Sequence, residues 1–283
     1  MRVTGAAFAP AKVNLFLHIG PLGPDGFHPV CSLMVFADVG DRLRLEPGEG
    51  FAVEGPFAAE LAGLDPADNL VMRAADAIGG APGRLVLAKD LPVASGLGGG
   101  SSDAGAALRL LRTVQSGAAL EAAAAALGSD GVPCLWGRPV IAEGRGERLI
   151  PAPRLPVLHA VLVNPRVACP TGAVYRAYDA GPAASADRPA MPEAFDDAAA
   201  VATFLGGTRN DLEGPAASLV PQIGETLAWL RARRETLFAR LSGSGATGFS
   251  ICADAAQADR LAAAAEAQGW WARPCRLGGP WSA

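Results

Sequence analysis

Four glycines crowd into five positions, Gly96, Gly98, Gly99 and Gly100, within residues 91–103, L-P-V-A-S-G-L-G-G-G-S-S-D. Glycine reaches backbone angles closed to other residues and lets a ligand approach the main chain. Before the loop, residues 84–88 (R-L-V-L-A) have the composition of a strand. After it, Ala104, Ala107, Leu108, Leu111 and Val114 recur at helical spacing. A glycine loop therefore feeds a helix, which Ser101 or Ser102 is placed to cap. The free N–H groups and positive dipole end of that helix favour an anion, and phosphate is the natural occupant. A tight strand-to-helix turn without a ligand is the plainer alternative, and the four glycines and two hydroxyls weigh against it. Two better-known phosphate loops do not fit. The P-loop needs Lys-Ser/Thr after its last glycine, where Ser101 and Ser102 stand. The dinucleotide fingerprint needs glycine where Ser101 stands.

A chain of 283 residues, 50% of them hydrophobic, supports one or two domains. A net charge of -4 gives no reason to expect a nucleic-acid backbone or an anionic membrane as partner. Cys31, Cys134, Cys169, Cys252 and Cys275 are scattered and form no C-x-x-C. That argues against a disulfide framework or a zinc site and for a reducing compartment. The first residues show no secretory pattern, and the apolar run 157–163 is far too short for a membrane span. The expectation is a soluble cytoplasmic protein with no metal site of its own. Among 24 basic residues only Lys12 and Lys89 are lysine. A lysine kept in so arginine-rich a chain marks Lys12 as a place that needs a compact point charge.

Along the chain, residues 8–19 (F-A-P-A-K-V-N-L-F-L-H-I) alternate, with Val13, Leu15, Leu17 and Ile19 on one face. Lys12, Asn14, Phe16 and His18 share the other face, which is either a ligand-facing surface or a solvated one. Residues 21–29 are dense in turn formers, with Asp25-Gly26 a hairpin signal and Phe27-His28 beside it. Those two side chains suit a planar ring, although core packing for Phe27 and a solvated loop for His28 are the simpler readings. Residues 30–38, 42–45 and 51–53 have strand character, and 65–79 that of a helix capped by Asp68 or Asn69. An alanine-rich helix over 117–127 leaves Asp130 in a loop at its C-terminal end, where the dipole disfavours a carboxylate. That aspartate is either an ordinary turn residue or one placed for chemistry. A hairpin over 140–150 and a proline-rich passage over 151–156 follow, the passage being the best candidate boundary. Beyond it come a strand from 157, a helix over 170–178 with both tyrosines, and a loose surface loop over 180–197. Asn210-Asp211 precede a helical region, and a second glycine loop over 241–248 leads into strand 249–252. A helix over 255–268 and a strand over 270–276 end the chain.

Three segments in order, A-P-A-K-V-N-L-F-L-H, P-V-A-S-G-L-G-G-G-S-S-D and L-S-G-S-G-A-T-G, together resemble the GHMP small-molecule kinases. The D-G-F-H and D-N-L-V-M-R-A-A segments narrow the resemblance to the branch acting on a diphosphocytidyl substrate. The resemblance implies a two-domain α/β (α+β) fold. Its N-terminal domain, 1–152, is like ribosomal protein S5, its C-terminal domain, 153–283, is ferredoxin-like, and the active site lies in the cleft between them. It implies ATP, with Mg²⁺ accompanying the nucleotide, as cofactors, and diphosphocytidyl methylerythritol as the small-molecule partner whose 2-hydroxyl receives the γ-phosphoryl group. A monomer or weak homodimer is expected.

Carried over position by position, the resemblance makes Lys12 the lysine at the reacting hydroxyl, with Asn14 beside it, and Asp130 the acceptor of the hydroxyl proton. It puts the ATP phosphates on Pro92, Val93, Ala94, Ser95, Gly96, Leu97, Gly98, Gly99, Gly100, Ser101 and Ser102. Phe27 and His28 would hold the cytosine, Tyr175 its other face, and Ser242, Gly243, Ser244 and Gly245 would support the phosphate loop. There are two departures. The family usually has Val-Pro directly after the aspartate, whereas Gly131 intervenes here, so the loop bulges or the aspartate is displaced. Phe27 stands where tyrosine is common. A homoserine- or mevalonate-type kinase is the alternative in the same class. A non-catalytic ligand-binding regulator on the same fold is the alternative from another class.

Overall fold

The computed structural model describes residues 4–112 and 115–281. Val114, assigned by spacing to the helix after the glycine loop, lies outside the described residues.

Two long strands, β1 (Gly5–Ile19) and β2 (Val30–Glu46), pair antiparallel and carry the first part of the chain. The alternation in β1 predicts one polar face, yet both faces are covered. Phe16 is fully buried, and Lys12, Asn14 and His18 are buried as well. Register shifts between Pro10/Lys12 and Asn14/Phe16 re-aim the side chains, as bulges do. Residues 30–38 and 42–45, expected as separate strands, are one strand running through Gly40. A Cβ at Gly40 would fall 2.1 Å from the Ala9 carbonyl oxygen, so glycine alone lets β2 pass β1 there without a break.

The parallel pair β3 (Phe51–Glu54) and β4 (Arg84–Ala88) adds to β2. Between them lies α1 (Leu70–Ala77), where Asn69 Oδ1 accepts the Val71 N–H at 2.9 Å as the cap. The helix expected over 65–79 is thus shorter, with Pro66–Asp68 forming a separate 3-10 turn. Helices α2 (Gly99–Leu111), α3 (Gly117–Ala126) and α4 (Gly131–Trp136) follow. They bury Ala104, Leu108, Leu120 and Leu135 with Val71 of α1 and Leu85 and Leu87 of β4. The hairpin β5 (Val140–Gly144) and β6 (Arg148–Pro151) pairs back onto β2.

The second half runs β7 (Leu158–Asn164), α5 (Thr171–Asp179), α6 (Ala198–Gly206), α7 (Glu213–Leu219), α8 (Pro221–Arg231), β8 (Phe238–Leu241), β9 (Gly248–Cys252), α9 (Ala255–Glu266) and β10 (Trp271–Gly278). Its strands lie in the order β10-β7-β9-β8, all antiparallel, which is the ferredoxin-like arrangement expected. Leu277 and Gly278 of β10 pair with Ala37 and Phe36 of β2, so the two halves share one sheet. One apolar cluster also spans them, joining Val13, Phe16 and Leu33 to Leu158, Phe249 and Trp271. Residues 180–197 are not the loose loop expected. Asp187 O meets His18 Nδ1 at 2.8 Å, the Ala184 N–H donates to Tyr178 OH at 3.2 Å, and Phe195 is buried. Among the described residues no helix is long and apolar enough to cross a membrane.

Candidate active site

The glycine loop joins β4 to α2, and its backbone sets the geometry. Gly96 and Gly98 have φ of +79° and +62°, and Ala94 is held at +50°. Left-handed angles are the ones glycine tolerates, so Ala94 is a strained residue in the loop. Gly98 occupies the N-cap of α2, and no side chain caps the helix. The capping expected of Ser101 or Ser102 is therefore not found. Both lie inside the first turns, and Ser102 Oγ donates to Pro10 O at 2.6 Å, fastening α2 to β1. With no side chain over them, the first N–H groups of α2 remain open to an anion.

Two other segments close on this loop. The Lys12 N–H donates to Leu97 O at 2.8 Å and the Thr247 N–H to Ser95 O at 3.0 Å. Ser242 Oγ donates to Gly96 O at 2.9 Å and accepts the Asn14 N–H at 3.2 Å. A Cβ at Gly96 would lie 2.4 Å from Ser242 O and 2.8 Å from Gly245 O. The start of the chain, its middle and its end thus meet backbone to backbone. Ser242 and Gly245 touch the loop, while Gly243 and Ser244 turn toward the cleft.

That cleft is a cavity of about 820 Å³. Of the eleven loop residues 92–102, all but Leu97 and Ser102 line it. Leu97 is buried in the core instead. Lys12 Nζ reaches Asp130 Oδ2 at 3.0 Å and donates to Asn14 Oδ1 at 2.7 Å. Asn14 Nδ2 in turn donates to Ser32 Oγ at 2.7 Å, which fixes the amide. Gly98 packs on the Lys12 stem, where a Cβ would come within 3.0 Å of Lys12 Cε. Ammonium, carboxylate and helix start therefore face one space.

Asp130 is not left at the unfavourable end of α3. It stands at the N-cap of α4, and its carboxylate makes no bond to that helix, which frees it for Lys12. With Gly131 following it, Asp130 still meets Lys12 at 3.0 Å. Gly131 is the first residue of α4 and is pressed against α3, where a Cβ would fall 1.9 Å from Ala124 O.

The aromatic residues divide. Tyr175, on α5, lines the cavity, and burial together with the Asp130 charge pushes its phenol up to about 12. His28 lies 5.4 Å from the Tyr175 ring, with Nδ1 on Gly20 O at 2.9 Å and Nε2 on Asp179 Oδ1 at 3.1 Å. Phe27 is 54% exposed, and the Arg145 guanidinium lies 4.4 Å over its ring. Arg145 lines the cavity and pairs with Asp25, so Phe27 sits at the cavity edge behind an arginine. Neither Phe27 nor His28 is itself part of the wall.

Sequence reasoning passed over several residues here. Asn210 donates through Nδ2 to Leu241 O at 2.9 Å and Gly243 O at 2.8 Å, pinning the second glycine loop. Arg145 carries no motif, since its place depends on the β5–β6 turn meeting the turn at 25–27. Lys89, Asp41 and Asp103 form a buried ionic group under the glycine loop. The scarcity of lysine was the one signal pointing to it. At the other end the cavity is apolar, lined by Phe51, Val53, Leu61, Leu64 and Leu70, a surface suited to the flat face of a base.

Comparison with known proteins agrees with this geometry. Residues 69–138 match the family model described as GHMP kinases N terminal domain, and residues 190–269 match GHMP kinases C terminal. The chain belongs to the GHMP kinase family. Within it, the chain is 56% identical over 291 residues to a Caulobacter vibrioides protein named 4-diphosphocytidyl-2-C-methyl-D-erythritol kinase, covering 96% of this chain and 99% of that one. A Hyphomonas neptunium protein of the same name is 48% identical over 290 residues, 96% of each chain. A crystal structure of 4-(cytidine 5'-diphospho)-2C-methyl-D-erythritol kinase superposes with a TM-score of 0.75 at 34% identity, covering 98% of this chain and 100% of that one. Homoserine kinase from Cytophaga hutchinsonii, at 18% identity and a TM-score of 0.63, shares the fold.

Proposed function

We infer that this chain is an ATP-dependent kinase that phosphorylates the 2-hydroxyl of 4-diphosphocytidyl-2-C-methyl-D-erythritol, a step of the methylerythritol phosphate route to isopentenyl diphosphate. The observation that carries the chemistry is the Lys12–Asp130 pair at 3.0 Å, facing the open N-terminus of α2 across one cavity. Relatives named for this activity along nearly the whole chain support the choice of substrate.

Phosphoryl transfer asks a protein mainly for positioning and for charge stabilisation. The nucleotide fits this chain at two places. Its base fits the apolar end of the cavity, and its phosphates fit the uncapped N–H groups from Gly98 onward. Mg²⁺ arriving with the nucleotide would be held chiefly by phosphate oxygens and water and would neutralise charge on the transferred group. Asp130 takes the proton of the attacking hydroxyl and orients that oxygen. Lys12, held by Asn14, stabilises the negative charge that develops there. Tyr175 and Phe27 flank the cytosine once Arg145 leaves the Phe27 face for the substrate diphosphate, and His28 supplies the contact to the base edge through Nε2 once Asp179 gives it up. Residues 242–245 keep the phosphate loop in place. We assign the two domains to residues 1–152 and 153–283, divided at the proline passage, and the protein to the cytoplasm, as a monomer or weak homodimer.

ADP release with Mg·ATP is to be measured with the cytidyl substrate beside homoserine and mevalonate phosphate. Turnover with the cytidyl substrate alone is expected. Turnover with either of the other two would replace this assignment by another kinase of the family.

A further inference from the structure

A second charged cluster lies beneath the glycine loop, and the chemistry above does not use it. Lys89 Nζ donates to Asp41 Oδ2 and, at 2.9 Å, to Asp103 Oδ2, and all three side chains are at most 4% exposed. Asp41 Oδ1 accepts the N–H groups of Asp90 at 2.6 Å and Leu91 at 2.8 Å. The cluster therefore ties the entry of the loop, residues 89–91, to α2 at its exit, with Asp41 of β2 between them. Lys89 Nζ sits only 2.9 Å from where a Cβ at Gly99 would be, directly under the first turn of α2. Asp103 Oδ1 is buried without a partner. In a chain with only two lysines, both stand in the wall of this cleft. A guanidinium is too broad for a slot between two carboxylates and a glycine, whereas an ammonium fits.

Two carboxylates and one ammonium, all ionised, leave one negative charge in excess below a phosphate site. We propose that Lys89, Asp41 and Asp103 form a positioning clamp for the glycine loop, and that the net charge of this clamp sets how strongly the loop holds a polyphosphate. The proposal rests on the reading of that loop as the nucleotide site. Lys89 holds the two ends of the loop together, so that the N–H groups from Gly98 to Ser101 are aimed before any ligand arrives. Burial pushes the Asp103 carboxyl well above the ordinary carboxylate range, with the Lys89 charge opposing the shift and the Asp41 charge adding to it. A carboxyl raised in this way holds its proton longer as pH rises, so the clamp passes from neutral to negative when that proton is lost.

Outside the clamp, the charged groups on the neighbouring elements are engaged elsewhere or exposed. Lys12 and Asp130 are paired with each other. On α4 the nearest titratable neighbour is the Cys134 thiol, which burial pushes far above its ordinary range. Arg109 of α2 is spent on the carbonyls of Cys134, Leu135 and Phe8. Arg73 and Asp76 of α1 are exposed, and Glu121 of α3 accepts from Trp136 Nε1.

The test is a calorimetric titration of the full chain with Mg·ATP at pH 7 and pH 9, Mg²⁺ saturating, for the wild type and Asp103→Asn. Asparagine keeps an oxygen for Lys89 and removes the charge. The dissociation constant of the wild type is expected to rise about five- to tenfold over this range, and that of Asp103→Asn less than about twofold. Parallel rises in the two proteins would overturn the proposal. In steady state Lys89→Met is expected to raise KM for ATP about tenfold and leave kcat within about threefold. A fall in kcat with KM unchanged would equally overturn it. If Lys89→Met does not fold, the pH comparison decides alone. A wild type that binds no ATP at either pH would instead remove the nucleotide reading, and the proposal with it.

Discussion

The two ends of the cleft are built differently. At the phosphate end, residues from β1, the first glycine loop and the second glycine loop interlock by main-chain bonds, and bulk added at Gly96 or Gly98 meets backbone or the Lys12 stem. At the end where we place the substrate base, side chains on exposed turns meet, with Phe27 54% exposed and the Arg145 guanidinium over its ring. The first end is locked by main-chain bonds, while the second has to move Arg145 to take a base on the reading proposed above. On that reading, chemistry that depends on sub-ångström placement falls to the rigid end, and recognition of a flat ring, which tolerates sliding, to the adaptable one.

The comparison can be broken from either side, beginning with the largest effect. Lys12→Ala removes the cation at the reacting oxygen and leaves the α2 N–H groups in place. Turnover should fall ~10²-fold or more with ATP affinity nearly unchanged, and rapid-quench kinetics beside calorimetry would check both. Next, Gly131→Ala forces a methyl against the Ala124 carbonyl. A loss of about 1–3 kcal/mol in denaturant unfolding is expected, along with reduced turnover because Asp130 is the adjacent residue. An unchanged midpoint would show that the α3–α4 corner yields more easily than its packing suggests. At the adaptable end, Phe27→Ala should weaken the cytidyl substrate by about 1–3 kcal/mol in KM and leave KM for ATP alone. An unchanged substrate KM would put the base elsewhere in the cavity.

The smallest effect concerns the strap over residues 180–197. His18 meets Asp187 O through Nδ1 and accepts the Arg209 N–H through Nε2, which needs the neutral ring. Burial accordingly lowers its pKa below the ordinary 6.5. The unfolded chain therefore takes up this proton more readily than the folded one. The contribution of His18 to stability is whole above pH 6.5 and is lost as pH falls below that value toward the lower folded-state pKa. Urea midpoints at pH 7.5 and pH 5.5 should draw together in His18→Asn relative to the wild type.

The phosphate end was the legible one because glycines and a helix start are local signals. Residues 91–103 announced the loop and the helix together. Two local inferences failed for physical reasons. The helix starts at Gly99, so Ser101 and Ser102 fall inside it rather than at its cap. Asp130 was judged from α3 alone, although the short helix that follows sets its environment. Longer-range features had no local signal. The bulges in β1 that bury Phe16, the Asn210 bonds to the second loop and the approach of Arg145 to Phe27 all come from segments far apart in the chain. The resemblance to the family named Phe27 and His28, yet the structure keeps both just outside the cavity wall, where composition says nothing.

The most direct test of the account is a single-turnover measurement on Asp130→Asn with Mg·ATP and the cytidyl substrate. Asparagine preserves the shape and a bond to Lys12 but cannot take the proton. Phosphorylated product should form ~10²-fold or more slowly than in the wild type while both ligands still bind. A rate equal to that of the wild type would contradict the role given to Asp130 and leave the Lys12–Asp130 pair as a structural contact.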